Sequence, residues 1–196
     1  MKLGQLKIEC LMHLFPNEKI SYADEDQSII KTLDNLRADP NYSDLIVTMI
    51  GSINRAILYM TAKGLTEKKR VDLSNLKWEE GRAKIDTSDI YQIEEADEPC
   101  LIIDGYLVSS YGKKPKYIIY RKKHFEITQK TSDLTELEIN NHLCFLIPLY
   151  VKGELYTFDL EERKESQDRF KAFIDEYKLG EIILNNRKVE SVYRGE

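Results

Sequence analysis

The spacing of apolar residues changes twice along this chain of 196 residues. Up to about residue 66, apolar side chains recur every three or four positions, as they do on one face of a helix. Between residues 67 and 139 they alternate with polar residues, which is typical of strands. Helical spacing then returns. We therefore predict an α+β fold, a helical bundle with a small, mostly antiparallel β insertion and an extended C-terminal tail.

The predicted bundle has helices on both sides of the insertion. Three helices are expected in residues 1–66, and the third ends at Gly64, a typical C-terminal cap. Residues 140–180 supply the remaining helices, and Gly180 is expected to end the last one. Within the insertion, residues 67–139, a hairpin is predicted to turn at Asp104 and Gly105, and further strands include one at Leu137 and Ile139.

The segment that follows the insertion is apolar on almost every side. Such a helix is normally buried in a core or an interface. Pro148 lies inside it and removes one backbone donor, so we expect a kink there. The tail, residues 181–196, is rich in β-prone apolar residues and is expected to add as a strand to another subunit.

Motifs for catalysis or metal binding are not found in the sequence. The three cysteines and three histidines are scattered, and no cysteine pair has zinc-ligand spacing. We expect no catalytic residues, no cofactor and no metal, although an enzyme with a dispersed site stays an open alternative. The N-terminus resembles neither a signal peptide nor a membrane span, so synthesis in the cytoplasm and no membrane partner are expected.

Charge is segregated within the predicted insertion. Residues 79–104 contain nine acids and two bases, whereas residues 113–130 contain seven bases and one acid. One interpretation is head-to-tail contact between identical subunits. A second is a nucleic-acid-binding module that uses the basic stretch, and a third is a charged solvent face. The residues proposed for a subunit interface are Glu94, Glu95, Asp97, Glu98, Arg121, Lys122 and Lys123.

A run of sixteen residues carries a resemblance to a known family. Residues 141–156 read NHLCFLIPLYVKGELY, and the matching helix in the family is written roughly N-x-L-x-x-L-I-P-x-Y-V-x-x-x-L-Y. The order of helices, β insertion and helices also agrees. The chain thus resembles the head-to-tail adaptor (connector) proteins of tailed bacteriophages, most clearly over residues 137–179. The motif residues expected in the core are Leu143, Ile147, Pro148, Tyr150, Val151 and Leu155.

The resemblance implies a structural virion protein rather than an enzyme. Adaptors of this family form a dodecameric ring between the capsid portal and the neck or tail. Genomic DNA passes through the channel of the ring without sequence-specific contacts. The expected partners are other copies of the chain, the portal protein and the next neck or tail-completion protein. A tail-completion protein is an alternative with the same fold. Portal contacts are expected from the tail, at Ile182, Ile183, Leu184, Val189, Val192 and Tyr193.

Overall fold

A computed structural model describes the backbone of residues 1–193 and the side chains of residues 1–180. The chain divides into two compact units. The helical unit consists of Met1–Lys63 and Glu126–Glu196, and the β unit is Gly64–Phe125. The mixed α and β class predicted from the sequence is confirmed, because helices flank small antiparallel sheets.

Three helices precede the β unit and three follow it within the described residues. They are α1 (Leu3–Leu14), α2 (Asp26–Ala38), α3 (Pro40–Ala62), α4 (Asn141–Cys144), α5 (Ile147–Leu155) and α6 (Leu160–Tyr193). Helix α5 packs against α1, α3 and α6, so it lies at the centre of the helical unit. Its neighbours supply fully buried apolar side chains, among them Leu6, Ile53, Met60 and Phe170.

Helix α3 is the long core helix of this unit. Asp39 caps it by accepting a hydrogen bond from the backbone N–H of Asn41, 2.9 Å away, and Pro40 occupies the first turn, where a missing N–H costs nothing. By length and composition alone α3 is able to cross a membrane. Its apolar stripe is instead buried against α1, α2 and α5, as expected for the core helix of a globular unit.

The segment between the β unit and α4 belongs to the helical unit. Backbone N–H groups of Leu3 and Gly4 donate to the carbonyls of Thr135 and Asp133, at 2.9 and 2.7 Å. The β unit is therefore shorter than the predicted insertion, residues 67–139. A strand was also predicted at Leu137, but the described backbone there forms no strand. The apolar alternation reflects burial of Leu137 and of Ile139 within the helical unit.

The β unit contains two antiparallel sheets of three strands each. Its strands are β1 (Lys68–Asp72), β2 (Arg82–Lys84), β3 (Ile90–Ala96), β4 (Cys100–Ile103), β5 (Tyr106–Ser109) and β6 (Tyr117–Lys122). The first sheet has the order β1-β6-β3 and the second β2-β5-β4. Leu73, Leu107, Ile118 and Tyr120 form the buried centre of the unit.

The hairpin predicted at Asp104 and Gly105 is confirmed. These two residues join β4 to β5 and both have positive φ, 49° and 77°. This backbone conformation matches the right-handed twist of the flanking strands, and glycine adopts it without steric cost.

Two helix predictions for the C-terminal half are wrong. Pro148 does not kink one long helix, because the helix is interrupted after Cys144 and Pro148 lies in the first turn of α5. A proline lacks the N–H that a helix interior requires, so a new helix start accommodates it better than a kink. Leu143, Ile147 and Val151 of this segment are buried, and Phe145 is exposed in the single chain.

The last helix also differs from the prediction. Helix α6 continues through Gly180 to Tyr193, so the predicted stop at Gly180 and the extended conformation after it are corrected. A glycine inside a helix costs only about 1 kcal/mol, and no proline follows it to force an end. The proposed contacts of the tail concern side chains of residues 181–196, which lie outside those that the structure describes.

Candidate interaction surfaces

The acidic and basic stretches of the sequence meet inside the β unit. Strand β3 pairs with β6 in antiparallel register, with Gln92 opposite Arg121 and Glu94 in an irregularity of the pairing between Ile93 and Glu95. The guanidinium of Arg121 donates to Oε1 of Glu94 from Nε at 2.8 Å and from Nη2 at 2.6 Å. Lys68 on β1 binds the other carboxylate oxygen at 2.7 Å. Only 8% of the Arg121 side chain is exposed, so this guanidinium is unavailable to a partner.

The titration behaviour of these carboxyl groups follows from their partners. Burial by itself raises the pKa of Glu94, but hydrogen bonds from Lys68 and Arg121 outweigh it, and the pKa lies below its ordinary value. The pKa of Asp97 is lowered against its desolvation in the same way, by backbone N–H groups of Lys116 and Tyr117 at 2.8 and 3.3 Å. Both groups are therefore charged at neutral pH.

Most residues proposed for a subunit interface already have partners in their own chain. Besides Glu94, Asp97 and Arg121, the carboxylate of Glu95 accepts from the Tyr117 hydroxyl at 3.1 Å, and Glu98 lies 3.7 Å from Lys113. Lys122 and Lys123 use their backbone N–H groups within the unit, and Lys123 is exposed. The antiparallel pairing of β3 with β6 thus accounts for the charge segregation that suggested contact between subunits.

The aromatic residues of the basic stretch do not form a continuous exposed platform. Tyr120 is buried and its hydroxyl donates to Asp89 at 2.8 Å. The Tyr117 ring lies 4.0 Å from the guanidinium of Arg70. Tyr111 and Phe125 are exposed. A nucleic-acid strand needs successive free rings and free cations, and this stretch uses several of both internally.

The motif shared with the adaptor family lies in α4 and α5. Leu143, Ile147, Pro148 and Val151 are buried, whereas Tyr150 and Leu155 are half-buried. The Tyr150 ring packs edge-on against Phe170 of α6 with centroids 5.0 Å apart. The motif therefore fills the core of the helical unit.

Close approach of α5 to α6 depends on Gly153 within the motif. A Cβ at this position would lie 2.4 Å from Cγ of Gln167, closer than atoms tolerate. The Gly153 carbonyl accepts hydrogen bonds from the side chains of Gln167 and Arg163 at 2.7 and 2.8 Å. The glycine thus lets two helices touch and anchors a pair of side chains.

An ion pair joins α3 to α5 on the surface of the helical unit. Arg55 donates to Oε1 of Glu154 from Nε at 3.0 Å and to Oε2 from Nη2 at 2.5 Å. Burial raises the pKa of Glu154, but hydrogen bonds from Arg55, Ser52 and Tyr150 lower it by a larger amount. The pKa of Glu154 therefore lies below its ordinary value. This fork geometry is one of the stronger forms of ion pair.

The thiols and imidazoles of the described residues do not form a reactive cluster. Burial raises the pKa of the Cys10 thiol far above its ordinary value and that of Cys144 to about 11. Desolvation lowers the pKa of His13. Within the part of the chain that the structure describes, no group of three or more histidine, cysteine or carboxylate side chains is placed to hold a metal ion.

A groove runs along the β unit between the edge strands β3 and β4. Its volume is about 760 Å³. The lining is mixed, with Tyr91, Ile93, Glu95, Cys100, Leu101 and Ile102 among its residues. Neither strand has a hydrogen-bonded neighbour on this side among the described residues, so two unpaired backbone edges border the groove.

Comparison with known protein families gives no matching family model, and comparison with curated proteins gives no match.

Proposed function

We propose that this chain is a head-to-tail adaptor of a tailed bacteriophage. In this proposal it is a structural virion protein located in the neck, between the capsid portal and the next neck or tail-completion protein. Copies of the chain form a ring, and genomic DNA passes through the central channel.

The observation that carries the proposal is the position of the family motif in the fold. The β unit interrupts the helical unit between α3 and α4, the order expected of the family. The two halves of the helical unit then meet on α5, where Ile147 and Val151 are fully buried. The residues that resemble the family are therefore those that close the helical unit around the insertion.

The surface charge supports a channel through which DNA moves. The formal net charge is -5, and Arg121, the most deeply placed base of the basic stretch, is bound to Glu94. A strongly basic wall would bind phosphates and hold the DNA. The net negative charge of the chain is therefore compatible with a channel through which DNA slides.

The proposal is tested by electron microscopy of the chain mixed with a portal protein from the same genome. We expect class averages that show a second ring stacked beneath the portal. A chain that fails to bind the portal under any condition contradicts the proposal, and a ring found only lower in the tail assigns it to tail completion.

Deletion of residues 181–196 tests which part of the chain binds the portal. We propose that they contact the portal, through the apolar residues named above, as the resemblance implies. Removing them is expected to abolish portal binding and to leave the melting temperature nearly unchanged, because the core of the helical unit is filled by side chains before residue 181, with Ile174 the last fully buried one among those that the structure describes. A truncated chain that still binds the portal contradicts this part of the proposal.

A further inference from the structure

The outer face of the β2-β5-β4 sheet is apolar and uncovered. In the antiparallel register Leu101 lies opposite Val108, and Ile103 lies opposite Tyr106. Leu101, Ile103 and Tyr106 are 60%, 51% and 41% exposed. Four neighbouring apolar residues on one sheet face form a patch of the kind that marks an interaction site.

The inner face of the same sheet shows that this exposure is not a general property of the unit. Ala83 and Leu107, which point the other way, are buried in its core. The outer face of the β1-β6-β3 sheet also differs. It is occupied by the ion pairs of Glu94 with Arg121 and Lys68. The apolar residues therefore concentrate on a single outer face.

One side of the patch is basic. In the register of β2 with β5, Arg82 lies opposite Val108 and Lys84 lies opposite Tyr106, so both bases share the outer face. Both residues are exposed, and neither forms an ion pair with any residue in the part of the chain that the structure describes. A complementary surface would be apolar with flanking carboxylates.

The helical unit carries such a surface where α5 turns into α6. Phe158 and Leu160, two positions apart, are 75% and 74% exposed. Asp159 lies between them and Glu161 follows, and both are exposed. Asp159 caps α6 by accepting from the backbone N–H of Glu161 at 2.8 Å. This cap and the contact of Phe158 with Tyr156, 5.6 Å between ring centroids, hold the corner in shape.

We propose that the outer face of the β2-β5-β4 sheet in one copy binds the Phe158–Leu160 corner of a second copy. The apolar residues of each surface cover those of the other, and Arg82 and Lys84 meet Asp159 and Glu161. Two different patches on each copy make this contact heterologous, the type that closes a ring or extends a filament. The inference rests on the proposed ring and assigns the surfaces that build it.

The test uses two variants that each disable one surface. Leu101→Asp places a carboxylate in the sheet face, and Leu160→Asp places one in the corner. Both side chains are largely exposed, so both variants are expected to fold, with unchanged circular dichroism. Sedimentation of each variant alone is expected to show monomers, with association at least about thirtyfold weaker than in the wild type.

Mixing the two variants, under the conditions in which the wild type assembles, is the decisive step. Leu101→Asp retains an intact corner and Leu160→Asp an intact sheet face, so one productive contact is possible between them. The mixture is therefore expected to form dimers with one copy of each and nothing larger. A mixture that stays monomeric overturns the proposal. That result is expected if the two surfaces contact each other within one chain, or if either of them binds the portal instead.

Charge reversal tests the same contact independently. Arg82→Glu together with Lys84→Glu is expected to weaken assembly, and adding Asp159→Lys with Glu161→Lys is expected to restore part of it. Leu58→Asp is the control, because Leu58 is 55% exposed on α3, outside both surfaces. It is expected to assemble like the wild type.

The results for the wild type and for the variants separate the two proposals. Rings of the wild type that persist in Leu101→Asp and in Leu160→Asp overturn the contact and leave the adaptor function standing. A wild-type chain that remains monomeric even with the portal overturns the adaptor function, and the contact with it.

Discussion

The side-chain nitrogen of Lys7 lies 2.9 Å from Oδ1 of Asp133, and only 3% of the Lys7 side chain is exposed. Arg37 binds the other oxygen of the same carboxylate at 2.5 Å. These two bonds tie the segment that leaves the β unit to α1 and α2. A buried ammonium is costly without a partner, so this carboxylate stabilises the segment in addition to the backbone hydrogen bonds of Leu3 and Gly4.

Replacing Asp133 with alanine is expected to lower the free energy of unfolding by about 3 kcal/mol, because Lys7 is left buried and unpaired. Chemical denaturation measures the loss. Asp34→Ala is the matched control, since Asp34 also binds Arg37 but is exposed. It should cost less than about 1 kcal/mol, and equal losses for the two variants would contradict the account.

The same carboxylate gives a pH dependence with a defined sign. Burial raises the pKa of Asp133, but bonds from Lys7 and Arg37 more than offset this, and its pKa lies below the ordinary 3.8. Because the pKa of Asp133 is lower in the folded protein than in the unfolded chain, its charge stabilises the fold at any pH above the unfolded pKa. That stability is lost as the pH falls through the pKa of the folded protein. The stability gap between wild type and Asp133→Asn should therefore narrow as the pH falls below about 4. A constant gap would argue against a charged Asp133.

Ile147 tests the role of the family motif in the core. It is fully buried in α5, so Ile147→Asp is expected to unfold the helical unit, because an unpaired buried carboxylate costs several kcal/mol. Phe145→Asp, two positions away but exposed, should leave the melting temperature within a few degrees of the wild type. If Ile147→Asp melts like the wild type, the motif does not form the core.

The spacing of apolar residues correctly predicted those structural elements that depend on a short stretch of sequence. Residue spacing alone predicted the apolar stripe of α3, the turn at Asp104 and Gly105, and the burial of Ile147. Each depends on contacts within a few positions or on a single buried face.

Other features depend on partners that are distant in sequence. The charge of Arg121 suggested an exposed site because its partner, Glu94, lies 27 positions away and is brought close by strand pairing. The apolar face at Leu101 was missed because inward and outward residues of β4 are equally apolar. Its one signal was the uninterrupted run from Cys100 to Ile103, which is unusual for a strand with one face in solvent.

Gly153 and Gly180 make a matched pair of substitutions to alanine. Gly153→Ala is expected to cost about 2 kcal/mol, because the new methyl group meets Gln167 across the α5–α6 contact. A Cβ at Gly180, inside α6, would meet no described atom of another element within 4 Å, so Gly180→Ala should stabilise the protein by about 0.5 to 1 kcal/mol. Thermal unfolding distinguishes the two directions. Destabilisation by Gly180→Ala would mean that α6 ends there.

Arg121 and Lys123 separate a structural role from an interface role. Arg121→Met removes the guanidinium that binds Glu94 and is expected to destabilise the β unit by about 2 kcal/mol. Lys123→Met changes an exposed base by the same charge and should shift stability by less than about 0.5 kcal/mol. Hydrogen exchange of β3 and β6 amides localises the effect. Unchanged exchange in Arg121→Met would restore the view of Arg121 as a free interface residue.

The mass of the assembled particle tests the central claim most directly. The purified chain of 22.9 kDa is sized by native mass spectrometry, alone and with a portal protein from the same genome. The adaptor account predicts a closed ring, a dodecamer if the resemblance to the family holds, formed by the chain itself or on the portal. A chain that remains a 22.9 kDa monomer in both conditions, at every concentration tested, would contradict it.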